Sequence, residues 1–152
     1  MARLPAEVRR LLDGANYGHL ATLMPDGAPK VEPVWVGCED EFVVVTTDGK
    51  SIKAKNVARD KRVGLSVVAF DNPYEQVLIR GSVVDVRPDD NLRVLDVMAH
   101  KYTGIPFPRR KWSNRVLLMI EPTLVRYYVS SLSDIRAPAS TPVGPLTSEM
   151  TE

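Results

Sequence analysis

The densest run of residues able to do chemistry is Thr46-Thr47-Asp48-Gly49-Lys50-Ser51-Ile52-Lys53-Ala54-Lys55-Asn56-Val57. It holds two threonine hydroxyls, a serine suited to cap a helix, and three lysines around that cap. A helix start presents backbone N–H groups without intrahelical partners, and its dipole favours an anion. Lysines there oppose the dipole, so a cluster of them calls for a negative partner, and a phosphate would serve. Taken only as charge, the same run is a solvated basic helix face. The residues alone leave both readings open.

Other candidates are scattered. Trp35 stands between Val34 and Val36, directly after Pro33. A proline inside a strand marks an edge or a bulge, often where a sheet opens to a ligand. Trp35 would then wall a flat conjugated ring, or it is a core aromatic. Tyr74 and Gln76 follow an Asn72-Pro73 turn, and Trp112 and Arg115 follow the basic run Arg109-Arg110-Lys111. His100, Lys101 and Tyr102 could offer a proton donor. Cys38 has no basic neighbour in sequence to make it a nucleophile.

Composition narrows the classes. Lys plus Arg is 20 and Asp plus Glu is 19, for a net charge of +1. A nucleic-acid binder acting by blanket charge would be far more basic. One cysteine and two histidines argue against a multi-cysteine metal site or a zinc catalytic centre. No apolar run reaches the roughly 18–20 residues of a membrane helix, and the N-terminus has no apolar signal core. The expectation is a reduced, cytoplasmic protein with neither nucleic acid nor membrane as partner. No Ser-His-Asp set, paired-carboxylate signature or glycine-rich phosphate loop stands out. That suits an enzyme whose chemistry belongs to a bound cofactor.

The elements that must position these residues read as mainly β. A short helix over 5–14 places Leu4, Val8, Leu11 and Leu12 on one face. Strands follow at 17–23, 30–37 and 41–47, forming a meander with turns at 25–27 and 38–41. A Ser51-capped helix covers 52–59, and a buried strand covers 63–70. After a turn at 71–73 comes a long strand over 76–86, with Gly81 as a bulge. A third helix over 91–102 is capped from 87–90, and a stiff loop spans 104–108. Two last strands occupy 115–120 and 124–129. Strands in runs, rather than alternating with helices, predict an antiparallel barrel of six to seven strands with about three helices outside. Residues 1–132 form the domain. Residues 133–152, rich in Ser, Thr and Pro, read as a C-terminal tail.

Four stretches carry a resemblance to a known family. They are Gly18-His19-Leu20-Ala21-Thr22-Leu23 with Pro25-Asp26-Gly27, then Val34-Trp35-Val36, then Ser51 to Asn56 through Arg59-Asp60-Lys61-Arg62-Val63, then Asn72-Pro73-Tyr74 through Arg80-Gly81. In this order and spacing the chain resembles the pyridoxamine 5′-phosphate oxidase-like split-barrel superfamily, and within it the actinobacterial branch of coenzyme F420-dependent oxidoreductases. The resemblance spans roughly residues 5–130.

It implies a split β-barrel homodimer with two cofactor sites at the subunit interface. It implies that Lys53 binds the cofactor phosphate, with Ser51, Lys55, Asn56 and Val57 in the same segment. Ser51 departs from the arginine of some relatives and supplies a hydroxyl without charge. Val34, Trp35 and Val36 would wall the ring, and Thr46 and Thr47 would meet its polar edge. Tyr74 and Gln76 would reach in from the other subunit, and Arg115 would lie near the cofactor. Tyr102, Ile105, Phe107 and the tail would shape a small-molecule substrate pocket. The activity implied is hydride transfer between F420 and an unsaturated small molecule. An FMN-binding oxidoreductase of the same fold is the alternative, followed by a non-catalytic cofactor- or haem-binding module.

Overall fold

Val8, Leu11 and Leu12 lie on one side of the first helix, α1 (Ala6–Asp13), and are buried against the sheet. In the computed structural model, which describes residues 1–131, this helix leads into β1 (Gly18–Leu23), β2 (Pro29–Val34), β3 (Val36–Glu39) and β4 (Phe42–Asp48). Helix α2 (Ile52–Arg59) separates β4 from β5 (Arg62–Ala69). The long β6 (Asn72–Pro88) runs into a 3-10 turn over Asp90–Leu92 and helix α3 (Arg93–Thr103), and β7 (Arg115–Val129) ends the described fold.

All seven strands form one antiparallel sheet in the order β2-β1-β5-β6-β7-β4-β3. The two outermost strands, β2 and β3, are consecutive in sequence with only Trp35 between them. The sheet therefore closes on itself through the chain, as a split barrel. Inside it Leu20, Val36, Val43, Val45, Val67, Val77, Leu118 and Ile120 are fully buried. A second, smaller cluster joins Val44, Leu117 and Met119, on the opposite face of β4 and β7, to Met98 of α3. With both faces covered, β4 is apolar without alternation, as a doubly buried strand must be.

The architecture matches the mainly β expectation, with local differences. The strand expected over 30–37 breaks at Trp35. Its first half pairs with β1 and its second with β4, so the meander is split between the two edges of the sheet. Cys38 and Glu39 belong to β3, and the turn tightens to Asp40 and Glu41, with Asp40 at φ 52°. Pro73 lies inside β6 rather than in the preceding turn.

The two strands expected at the end are one, because Pro122 falls opposite Gly81 at a register shift. A Cβ at position 81 would stand 2.3 Å from the Glu121 carbonyl oxygen, so only glycine permits this approach. The third helix begins at Arg93, after Asn91 and Leu92 adopt left-handed backbone conformations. Its first amides, from Val94 and Leu95, donate to the buried Asp89 carboxylate at 3.0 and 2.9 Å. The expected 133–152 tail lies outside the described residues.

Candidate functional site

The start of α2 folds as a capped helix for the reason its sequence suggests. The Ser51 hydroxyl accepts from the Ala54 amide at 3.2 Å and receives the Thr47 hydroxyl at 2.9 Å. Asp48 accepts from the Lys50 amide at 2.7 Å, closing the turn into the helix. Lys53 reaches from the first turn to β2, where its ammonium lies 3.3 Å from Glu32. The same Glu32 oxygen takes Lys30 at 2.9 Å. Lys55 points to solvent.

Asn56 and Val57 serve the fold. Val57 is in the barrel core. Asn56 is 1% exposed; its amide donates to Thr22 Oγ1 and Met24 Sδ, and its oxygen accepts from Arg59. These bonds seat α2 on β1 and leave Asn56 no outward face.

The strand break at Trp35 forms a second locus. Alternation sends the side chains of Val34 and Val36 into the core, at 7% and 0% exposure. Trp35 alone of the three faces outward. It stacks on Tyr102 at 5.2 Å and meets the edge of Phe107. Tyr17 also stacks on Tyr102, at 5.2 Å.

The last turn of α3 clamps the break. The Val36 amide donates to the Tyr102 hydroxyl at 3.1 Å, and that hydroxyl bonds the Asn16 carbonyl at 2.7 Å. The Lys101 ammonium donates to the Leu12 and Val36 carbonyls. Burial pushes the Tyr102 phenol up to about 12 and lowers the Lys101 ammonium from its usual range. Both groups bond backbone partners. Of the pocket residues expected beside them, Phe107 joins the aromatic series, while Ile105 is exposed.

Arg115 is the third locus, at the start of β7 opposite Asp48. Its guanidinium bonds Thr46 Oγ1 at 2.6 Å and lies 4.6 Å from the centre of the Trp112 ring. Arg109 lies 4.1 Å from the same ring, and the Trp112 indole N–H donates to Asp48. The Lys50 amide first, then this indole, hold the Asp48 carboxyl below its usual range. Arg110 pairs with Asp96 at 2.7 Å. Arg115 is half-buried, no carboxylate among the described residues pairs with it, and its Nε is buried without a partner. Burial lowers its pKa against the opposing pull of Asp48 and Asp89. An unpartnered buried donor on a cation marks a place for an anion or a polar acceptor.

Tyr74 and Gln76 occupy the start of β6 beside the end of β7, where Gln76 is opposite Tyr128. A cavity of about 160 Å³ lies beneath α3, lined by Gly37, Cys38, Val44, Met98 and Lys101. Burial first, and then the hydrogen bond to Asp13, push the Cys38 thiol up to about 11.

Sequence reasoning missed Glu32 and Lys30. The signal was present: alternate strand positions 30, 32 and 34 share one face, and Lys30 and Glu32 sit where Val34 points inward. It also missed Asp48 as the acceptor that fixes Trp112.

The residues fit a flat, anionic, conjugated cofactor. Lysines stand at a capped helix start, an aromatic series lines the barrel break, and a half-buried arginine keeps a free donor. The strand order and the break at Trp35 define a split barrel. The chain belongs to the pyridoxamine 5′-phosphate oxidase family, whose model matches residues 4–128. A structure described as an F420 reductase is similar over 78% of this chain and 94% of its own, with 32% identity and a TM-score of 0.71.

A conserved hypothetical protein from Mycobacterium tuberculosis is similar over 94% of both chains, with 22% identity and a TM-score of 0.69. An FMN-binding protein from Nostoc punctiforme, related to pyridoxamine 5′-phosphate oxidase, is similar over 74% of this chain and 73% of its own, with 22% identity and a TM-score of 0.55. No curated protein matches the chain. Among the described residues no helix is long and apolar enough to cross a membrane.

Proposed function

We propose that the protein is an F420-dependent oxidoreductase working as a homodimer. The observation that carries this reading is Arg115: a half-buried guanidinium with an unpartnered Nε, stacked on Trp112 and without a carboxylate partner among the described residues. A cation left in that state suits an anionic, ring-bearing ligand. The similarity to an F420 reductase supports the choice of deazaflavin.

Lys53 would hold the phosphate, with the capped start of α2 and Lys55 assisting. Trp35 would wall the ring, and Thr46 and Arg115 would meet its polar edge. The bound deazaflavin supplies hydride chemistry toward an unsaturated small molecule. Tyr102 and Lys101 position Trp35 by fixing the strand break, and Phe107 and Trp112 exclude water from the same side.

The outer face of the sheet supports a dimer. Ala21, Gly64 and Ser66 are small and adjacent in register, and Val31 and Leu78, both exposed, flank them. A second copy covering this face would bring Tyr74 and Gln76 of one subunit toward the other.

Fluorescence titration with F420 and with FMN, on wild type and Lys53→Ala, tests the reading. Losing a charge-assisted phosphate contact weakens binding by about 1.5–3 kcal/mol. The expected result is F420 binding at micromolar or better that falls at least tenfold in the variant, with FMN bound poorly. Binding that ignores Lys53, or none, overturns the reading.

A further inference from the structure

The Lys30–Glu32–Lys53 cluster exceeds what a helix-start anion site needs. Lys30 and Glu32 alternate on β2, opposite Thr22 and Leu20 of β1, and so share the face over which α2 packs. Lys53 comes to them from α2. One carboxylate oxygen of Glu32 takes both ammonium groups, at 2.9 and 3.3 Å. All three side chains are largely covered: Lys53 keeps 15% of its exposure, Glu32 27% and Lys30 28%. Two ammonium groups against one carboxylate leave the cluster one net positive charge.

We propose that Glu32 is a specificity-determining residue of the phosphate site: by neutralising one of two lysines it tunes the site to a singly charged phosphodiester and against a doubly charged terminal phosphate. This rests on the reading of Lys53 as the phosphate ligand.

The physical argument is a balance of charge in a partly desolvated place. A lysine ammonium has three donors, so one bond to Glu32 leaves others for incoming phosphate oxygens. A phosphodiester, such as links the side chain of F420, carries one negative charge and matches the cluster. The terminal phosphate of FMN carries close to two at neutral pH. It would leave a net negative charge beside the Glu32 carboxylate, and like charges are costly where water is partly excluded. Glu32 keeps its charge for this role. Burial raises its carboxyl, but Lys30 and Lys53 together outweigh that, and the net shift is downward.

The effect is also separable from stability. Glu32→Gln keeps the shape of the side chain and removes its charge, so a thermal melt separates a change in the site from a change in the fold.

The test measures dissociation constants for F420 and for FMN at pH 8 and fixed salt, on wild type, Glu32→Gln, Lys30→Met and Lys53→Ala. Thermal melts check that each variant is folded. In Glu32→Gln, FMN binding should tighten at least fivefold and F420 binding by clearly less, so the preference for F420 narrows. Lys30→Met should move the ratio the opposite way. If Lys53→Ala loses F420 while Glu32→Gln leaves the ratio within twofold of wild type, the inference falls and the functional reading stands. If Lys53→Ala changes nothing, both fall.

Discussion

Lys53 and Lys101 are the same residue type at opposite kinds of helix end. Lys53 stands in the first turn of α2, where the dipole opposes it, and meets a carboxylate that already serves Lys30. Lys101 stands in the last turn of α3, where the dipole favours a cation, and meets two backbone carbonyls from α1 and β3. The difference separates a charge available to a ligand from a charge committed to the fold. The Leu12 and Val36 carbonyls hold Lys101 from two elements at once, so it is fixed. An ammonium–carboxylate pair at a partly covered surface can yield a bond to an incoming anion.

The largest effect that sharpens this contrast is on stability. Lys101→Met leaves the Leu12 carbonyl without its donor and the Val36 carbonyl with only the longer Tyr102 hydroxyl contact, and should lower the unfolding free energy by about 1–3 kcal/mol. Lys53→Met should change it by less than about 1 kcal/mol. Urea unfolding of the two variants side by side decides the matter, and equal losses would erase the distinction.

A smaller effect is expected from Tyr102→Phe. The ring still stacks on Trp35, but the Val36 amide and Asn16 carbonyl lose their partner, at about 1–2 kcal/mol. The near-ultraviolet circular dichroism of Trp35 should persist, and its loss would show that the hydroxyl rather than the stack holds the indole.

The smallest effect lies on the loop that follows α3. Arg110, and against it burial, set the Asp96 carboxyl, which is held at about 2. Because the folded value is below the ordinary one near 4, this tie is complete above about pH 4 and is lost as pH falls toward 2. Tryptophan fluorescence should report release of the loop carrying Trp112 in that window, and Arg110→Ala should move the transition to higher pH. Among the described residues the Lys101 clamp has no acidic partner bonded to it, and it should survive the same titration.

Much of the fold was legible because its signals are local. Ser51 caps α2 where a serine before an apolar-periodic stretch should, and Gly81 bulges where a lone strand glycine should. The break at Trp35 was not legible. Side-chain alternation runs unbroken through Val34, Trp35 and Val36, and only the hydrogen-bond partner changes, from β1 to β4. The two strands expected over 115–120 and 124–129 join into one because Pro122 is carried through opposite the Gly81 bulge.

At the site, the lysines of the α2 start could be read from composition, and so could the aromatic character of Trp35. That Asn56 is turned inward could not, because nothing adjacent in sequence names Thr22 and Met24 as its partners. Arg115 owes its environment to residues 69 and 3 positions away, Thr46 and Trp112.

The joining of β2 to β3 through a single residue has a consequence for alignment errors. An edge strand is ordinarily free to slide along its neighbour or to recruit a stranger's edge. Here a slip of β2 along β1 by one position would drag β3 along β4 by the same amount. It would turn Val34 and Val36 to solvent and drive Trp35 into the barrel. Two hydrophobic interfaces would be lost for one displacement, so each edge proofreads the other's register.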